Sequence, residues 1–156
     1  MKRFIFTILL LTGCTQASGG RDVTIHFNYR TPSPLVYNIA KSIMELNSSL
    51  NDSMFKFGPG PNNYNVTIEY SEAPFKNVAG TAQNMFTYCR IVIYPTSIQN
   101  NILKTVVWHE IGHCLGLNHN GYFEHIMSEH VKPFETYNQE EVNLFLLEIK
   151  KLRGKQ

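Results

Sequence analysis

The strongest constraint on this chain is a segment of eleven residues that contains three of its six histidines. His109 and His113 are four residues apart, so on an α-helix their imidazoles share one face and can bind the same metal ion. Glu110 lies one position round the helix, beside that pair but outside it. Gly116 can adopt a positive φ, which allows the helix to end and the chain to turn back. His119 can then supply a third nitrogen from a new direction.

This spacing predicts a catalytic metal site. Three protein ligands with one open position are typical of catalytic zinc, whereas structural zinc normally has four protein ligands. The alternative is that the histidines are placed for unrelated packing reasons, but unpaired imidazoles crowded at one helix end would be costly to bury. We therefore predict one catalytic Zn²⁺ ion, bound by His109, His113 and His119.

Hydrophobic patterning predicts an α+β domain with a mixed sheet. Alternating apolar and polar residues indicate strands, which we place at residues 23–29, 54–57, 66–70, 80–86 and 90–94. Apolar residues at helical intervals indicate helices, which we place at residues 35–50, 101–115 and 139–152. Asn138 and Glu141 have the spacing of a capping box at the start of the last helix.

The histidine segment resembles the extended motif of the metzincin clan of zinc metallopeptidases, which it matches at every fixed position. The clan also has a methionine in a tight turn beneath the metal, and Met127 follows His119 by eight residues. That spacing resembles the matrixin branch, the matrix-metalloproteinase type. The resemblance implies a twisted mixed sheet of about five strands with three helices. It also implies a zinc cleft between an N-terminal and a small C-terminal subdomain.

The resemblance assigns roles to individual residues. Glu110 is expected to be the base that activates a water at the zinc for attack on a peptide carbonyl. Met127 is expected to form an apolar floor below the metal. Substrate is expected to lie extended along an edge strand near Val78 to Ala82, with the loop from Ser128 to Phe134 as one pocket wall. These roles imply a zinc metalloendopeptidase (EC 3.4.24 type) acting on extended polypeptides.

The distribution of acidic residues argues against the further ions that matrixins usually bind. The chain contains only two aspartates, Asp22 and Asp52, and residues 73–108 contain no Asp, Glu or His. Hard cations need clustered carboxylates or cages of carbonyl groups. We predict no structural zinc and no calcium site.

The N-terminus has the pattern of a bacterial export signal. Lys2 and Arg3 precede a short apolar run, and Leu11-Thr12-Gly13-Cys14 resembles the lipobox, in which the signal is cut before a lipidated cysteine. The alternative is an ordinary cleavable signal with an accidental cysteine. We predict a protein anchored through lipid on Cys14 to a bacterial cell-envelope membrane, at the cell surface or the periplasmic face. The predicted parts are a signal peptide (residues 1–13), a lipidated flexible leash (14–21) and the peptidase domain (22–156).

The two remaining cysteines, Cys89 and Cys114, leave two interpretations open. In an exported protein they can form a disulfide. They can equally be two buried free thiols, which behave as small apolar residues. Spacing in sequence does not decide between them, because it does not show whether the two Cα atoms are within disulfide distance.

Composition limits the classes of partner. The content of 43% hydrophobic and 17% charged residues is that of one globular domain. The net charge of +2 comes from Lys2 and Arg3, so the chain after the predicted cleavage is neutral. This argues against nucleic-acid binding, which needs a basic surface. We expect a monomer whose partners are a polypeptide substrate and a membrane.

Two other functions remain compatible with the sequence. One is a non-catalytic lipoprotein that keeps the zinc-containing fold as a binding module, although Glu110 is present. The other is a zinc hydrolase that acts on cell-wall peptides, because metal-activated water attacks many carbonyl groups.

Overall fold

The alternating segments of the N-terminal half form the strands of one sheet. The computed structural model describes residues 22–58, 64–75, 77–85, 88–119, 126–130, 133 and 139–154. The strands are β1 (Val23–Phe27), β2 (Phe55–Phe57), β3 (Tyr64–Tyr70), β4 (Gly80–Met85) and β5 (Tyr88–Ile93). The helices are α1 (Ser33–Leu50), α2 (Pro95–Gln99), α3 (Leu103–Leu115) and α4 (Gln139–Gly154).

The sheet is mixed, with strand order β2-β1-β3-β5-β4. Strands β1, β2, β3 and β5 run parallel, whereas β4 pairs antiparallel with β5 and forms one edge. Every second residue of β5 is buried, namely Cys89, Ile91 and Ile93, as expected for a strand with one face in the core. The prediction of an α+β domain with a five-stranded mixed sheet is confirmed.

Helix α1 packs through the apolar stripe that its sequence predicts. The stripe is buried in the core that the helix shares with the sheet and α3, and its members are Leu35, Ile39, Ile43, Leu46 and Leu50. The indole Nε1–H of Trp108 on α3 donates a hydrogen bond to the backbone oxygen of Ser42 on α1 at 2.7 Å. This bond satisfies a buried donor and ties the two helices together.

Helix α3 is more deeply buried than its sequence pattern predicts. Helical periodicity predicts one buried face, but every residue from Thr105 to Gly112 is buried. Two glycines allow this close packing. An added Cβ at Gly80 of β4 would lie 2.6 Å from Cγ1 of Val106, and one at Gly112 would lie 2.4 Å from Sδ of Met127.

The short helix α2 was not predicted. Its first residue, Pro95, directly follows the predicted strand at residues 90–94, and proline is favourable in the first turn of a helix, where its missing N–H needs no partner. The described residues therefore contain a fourth, short helix in addition to the three that the sequence predicts. Within the residues that the structure describes, no helix is both long enough and apolar enough to cross a membrane.

Candidate metal centre and active site

The end of α3 brings three histidines to one point. His109 and His113 lie one turn apart on the helix, which ends at Gly116 with φ of 98°. The backbone N–H of Gly116 donates to the oxygen of His113 at 3.0 Å, and that of Leu117 donates to the oxygen of Gly112 at 2.9 Å. This left-handed turn sends the chain back toward the helix, and it places His119 beside the other two rings.

The three Nε2 atoms have the spacing that a metal ion requires. They are 3.0 Å (His109 to His113), 3.1 Å (His113 to His119) and 3.2 Å (His109 to His119) apart. Nitrogens bound tetrahedrally to zinc at about 2.0–2.1 Å would be about 3.4 Å apart. Three neutral imidazoles with their lone pairs turned toward one another repel, and a central cation removes that repulsion. The donor set therefore fits a zinc ion, and it is the one group of candidate metal ligands among the described residues.

Backbone carbonyls orient two of the rings. Nδ1–H of His109 donates to the oxygen of Ile126 at 2.5 Å, and Nδ1–H of His113 donates to the oxygen of Leu117 at 2.8 Å. These bonds leave the Nε2 lone pair of each ring for the metal, the usual arrangement for zinc-binding histidines. Burial lowers the pKa of His109 to about 4, and it also lowers the pKa of His113. Both imidazoles are thus neutral near pH 7, as metal ligands must be.

Glu110 lies beside the histidines in a nearly closed position. Its side chain lines the same cleft as the three imidazoles, and the residue is only 5% exposed. Its Oε1 lies 2.9 Å from the position that a Cβ on Gly80 would occupy. Burial raises the pKa of this carboxyl group to about 8, because a charged carboxylate is poorly solvated there.

The predicted methionine lies beneath the helix that carries the ligands. Met127 is buried, and its sulfur packs against Gly112. Gly112 lies on α3 two residues after Glu110 and two residues before Cys114. Ile126, the neighbour of Met127, is also buried and supplies the carbonyl that accepts from His109. The segment around Met127 therefore supports the site in two ways, by apolar packing and by orienting one ring.

One residue of this support was missed by sequence reasoning. Glu141 on α4 is buried, and its carboxylate accepts a hydrogen bond from the backbone N–H of Ile126. The sequence suggested only a capping role for Glu141. A signal was nevertheless present, because an acidic residue on the buried side of an amphipathic helix needs a polar partner.

A cleft of about 650 Å³ runs past the three histidines. One side is the start of β4 and the residues before it, including the predicted substrate-binding segment from Val78 to Ala82. Glu129 and His130 also line the cleft, whereas Ser128 is buried. Of the predicted pocket wall up to Phe134, residues 131–132 and 134 lie outside the described residues. Residues 1–21, which include Cys14 and the predicted signal and leash, also lie outside them.

Cys89 and Cys114 form a disulfide, with their Cα atoms 5.5 Å apart. The bond joins β5 to α3 directly after the ligand His113. Of the two interpretations that the sequence left open, the structure contains the disulfide.

Comparisons with known proteins agree with this geometry. Residues 95–147, from α2 into α4, match the matrixin family (peptidase M10). The fold is similar to the crystal structure of archaemetzincin from Methanopyrus kandleri, with a TM-score of 0.56 and 12% sequence identity over 88% of this chain and 99% of that one. No curated protein matches the sequence with significance. The chain thus resembles matrixins around its histidine motif and an archaemetzincin in fold.

Proposed function

We propose that this protein is a zinc-dependent endopeptidase that hydrolyses peptide bonds of extended polypeptides. One observation carries the proposal: three Nε2 atoms converge within 3.0–3.2 Å beside a buried glutamate, in an open cleft. A purely structural zinc site would instead be closed by a fourth protein ligand. The match to the matrixin family over residues 95–147 supports the same activity.

His109, His113 and His119 would hold the ion. When bound, zinc supplies a Lewis acid that polarises a carbonyl oxygen and lowers the pKa of a water molecule. The three histidines contribute no negative charge, so the full charge of the ion acts on the reacting groups. The carbonyl groups of Ile126 and Leu117 keep two of the rings in place through their Nδ1–H bonds.

Glu110 would move the proton. Its carboxylate lies next to the ligand His109 in sequence and lines the same cleft. The ionised form of Glu110, which is favoured when the three histidines hold a cation, can accept a proton from the attacking water and pass it to the leaving amine, the general acid–base role of such residues. Its burial excludes bulk water, so that the proton stays with the reacting groups.

Strand β4 would hold the substrate. As an edge strand it offers backbone groups on its outer side to an extended peptide, which can add to the sheet by β-augmentation. The segment from Val78 to Ala82 lines the cleft next to the histidines. A peptide paired there would pass the metal in an extended conformation, in a cleft that Glu129 and His130 also line.

We also propose that the protein is exported and lipid-anchored through Cys14, on the basis of the lipobox-like sequence alone. Membrane fractionation tests this. A Cys14→Ser variant should leave the membrane fraction, whereas a control Thr15→Ser variant should stay in it. A Cys14→Ser protein that remained in the membrane would contradict the anchor.

The activity is tested with the purified, zinc-loaded protein and a mixed peptide library whose products are read by mass spectrometry. We expect cleavage that a chelator abolishes and that Glu110→Ala lowers by at least about a thousandfold. Glu72→Gln, an exposed acid outside the cleft, is the matched control and should cleave normally. A folded protein that binds one zinc ion but cleaves no peptide would favour a binding module or a cell-wall substrate.

A further inference from the structure

The C-terminal turn of α3, residues 112–116, is held from the sheet side by two independent contacts. The side-chain amide of Asn84 on β4 donates to the backbone oxygen of Cys114 at 2.9 Å and, at 3.3 Å, to that of His113. The disulfide joins Cys114 itself to Cys89 on β5. The last carbonyl groups of a helix lack intrahelical partners. Asn84 supplies a donor to that of Cys114, and it adds a second, longer contact to that of His113, which also accepts from the N–H of Gly116.

Strand pairing explains why both contacts reach the same turn. Asn84 lies directly opposite Cys89 in the antiparallel register of β4 and β5. Residues directly opposite in such a pair point to the same face of the sheet. Gly80 lies on the same face, because it is four residues before Asn84 and successive residues of a strand alternate between the two faces. Gly80 packs against Glu110. Gly80 and Asn84, on one face of β4, therefore contact α3 at two points: Gly80 at the proposed base Glu110, and Asn84 at the last turn of the helix.

A third residue determines which way the Asn84 amide points. The hydroxyl of Tyr64, at the start of β3, donates to Oδ1 of Asn84 at 2.7 Å. Burial raises the pKa of Tyr64 to about 12, so the phenol keeps its proton. With Oδ1 occupied as an acceptor, Nδ2 is directed at the helix carbonyls.

The position of this turn matters because two of the proposed ligands depend on it. His113 belongs to it, and the Nδ1–H of His113 donates to Leu117, just beyond Gly116. The chain that carries His119 leaves from the same point. A shift of the turn would therefore move His113 and His119 relative to His109.

We propose that Asn84 is a positioning residue for the metal site, which together with the Cys89–Cys114 disulfide holds the C-terminal turn of α3 and thereby His113 and His119. This rests on the proposed zinc-binding function. Asn84 contacts neither metal nor substrate in this role. It acts through the backbone carbonyl groups of α3. The Asn84 hydrogen bonds and the disulfide hold the same turn, so each contact partly compensates for loss of the other.

The test measures zinc affinity of the purified protein by competition with a chelator, for Asn84→Ala, for Asn84→Asp and for the control Gln83→Ala on the opposite face of β4. Loss of an outer hydrogen bond to a metal site typically weakens metal binding 10–100-fold. We expect a weakening in about that range for both Asn84 variants and none for the control. Asn84→Asp still accepts from Tyr64, but it cannot donate to the helix and its carboxylate repels the two carbonyl oxygens, so it should weaken zinc binding at least as much as Asn84→Ala.

Two readouts separate positioning from mere stability. The visible absorption spectrum of the Co²⁺-loaded protein reports ligand geometry, and it should change in the Asn84 variants under conditions where the metal-free protein is folded. The effect of Asn84→Ala on zinc affinity should also grow in a Cys89→Ser/Cys114→Ser background, because the second contact is then gone.

Results that contradict the proposed function can be distinguished from results that contradict only the role of Asn84. A wild-type protein that binds no zinc would overturn the proposed function and this inference with it. Wild-type zinc binding with affinity and Co²⁺ spectrum unchanged in Asn84→Asp would overturn this inference alone. If the Asn84 variants do not fold, the zinc affinity of Tyr64→Phe is measured instead. An affinity a few fold weaker than that of the wild type supports the inference, and an unchanged affinity overturns it.

Discussion

The carboxylate of Glu141 accepts the backbone N–H of Ile126, and the carbonyl of Ile126 accepts Nδ1–H of His109. A buried acid on α4 is thus connected to a proposed metal ligand through a single residue. We expect Glu141→Ala to weaken zinc binding about tenfold, whereas Glu141→Gln, which keeps an acceptor oxygen, should weaken it less. Chelator competition measures both. Equal affinities for the two variants would mean that the acceptor oxygen is not what matters.

The buried carboxyl group of Glu110 should make the metal-free protein sensitive to alkali. Its pKa is raised by burial to about 8 in the folded state, from an ordinary value of 4.5. A raised folded pKa contributes stability that is complete below about pH 4.5 and is lost as the pH rises through 8. In chelator, Glu110→Gln should therefore match the wild type near pH 4.5 and exceed it at pH 9, by on the order of a few kcal/mol.

Urea unfolding of both proteins at several pH values measures this difference. A difference in unfolding free energy that stays constant from pH 4.5 to 9 would contradict the assigned titration. Glu72→Gln serves as the control, because Glu72 is exposed.

Gly80→Ala should impair catalysis more than metal binding. The added methyl would lie 2.6 Å from Cγ1 of Val106 and 2.9 Å from Oε1 of Glu110, so the glutamate must move. Overpacking of this kind costs about 1–3 kcal/mol, and we expect kcat to fall at least about tenfold with zinc affinity nearly unchanged. Gly154→Ala is the control, since an added Cβ there meets nothing within 4 Å. Wild-type kcat in Gly80→Ala would be inconsistent with this packing.

Removal of the disulfide should destabilise the domain. The bond closes a loop with a sequence separation of 25, for which loop entropy predicts a contribution of about 3.5 kcal/mol. We expect Cys89→Ser/Cys114→Ser to lower the free energy of unfolding by about this amount in chemical denaturation. A double variant as stable as the wild type would show that the bond does not constrain the unfolded chain.

The parts of the site that were predictable from sequence depend on local spacing. His109 and His113 needed only helical periodicity, and Gly116 needed only the chemistry of a helix end. The structure places His119 with them, and their Nε2 atoms converge within 3.0–3.2 Å. The α+β architecture was predictable for a similar reason, because alternation and helical periodicity each extend over whole elements.

The parts that were not predictable depend on contacts between distant segments. Asn84 lies 30 residues from Cys114, whose carbonyl it meets, and Glu141 lies 15 residues from Ile126. Nothing in the local pattern around either residue indicates its partner. The burial of α3 on all sides likewise follows from packing against β4 and α4, which periodicity along one helix does not report.

The glycines around the site constrain natural variation in two different ways. At Gly116 the backbone is left-handed with φ of 98°, yet an added Cβ would meet nothing within 4 Å. Residues with a side chain rarely adopt this conformation; Asn51 and Asn101 have left-handed backbone in this chain, but with φ of only 49° and 53°. At Gly80 and Gly112 the space itself is filled. Homologous chains should therefore retain glycine at the first position for its backbone conformation and at the other two for lack of space, where only smaller facing side chains would permit a change.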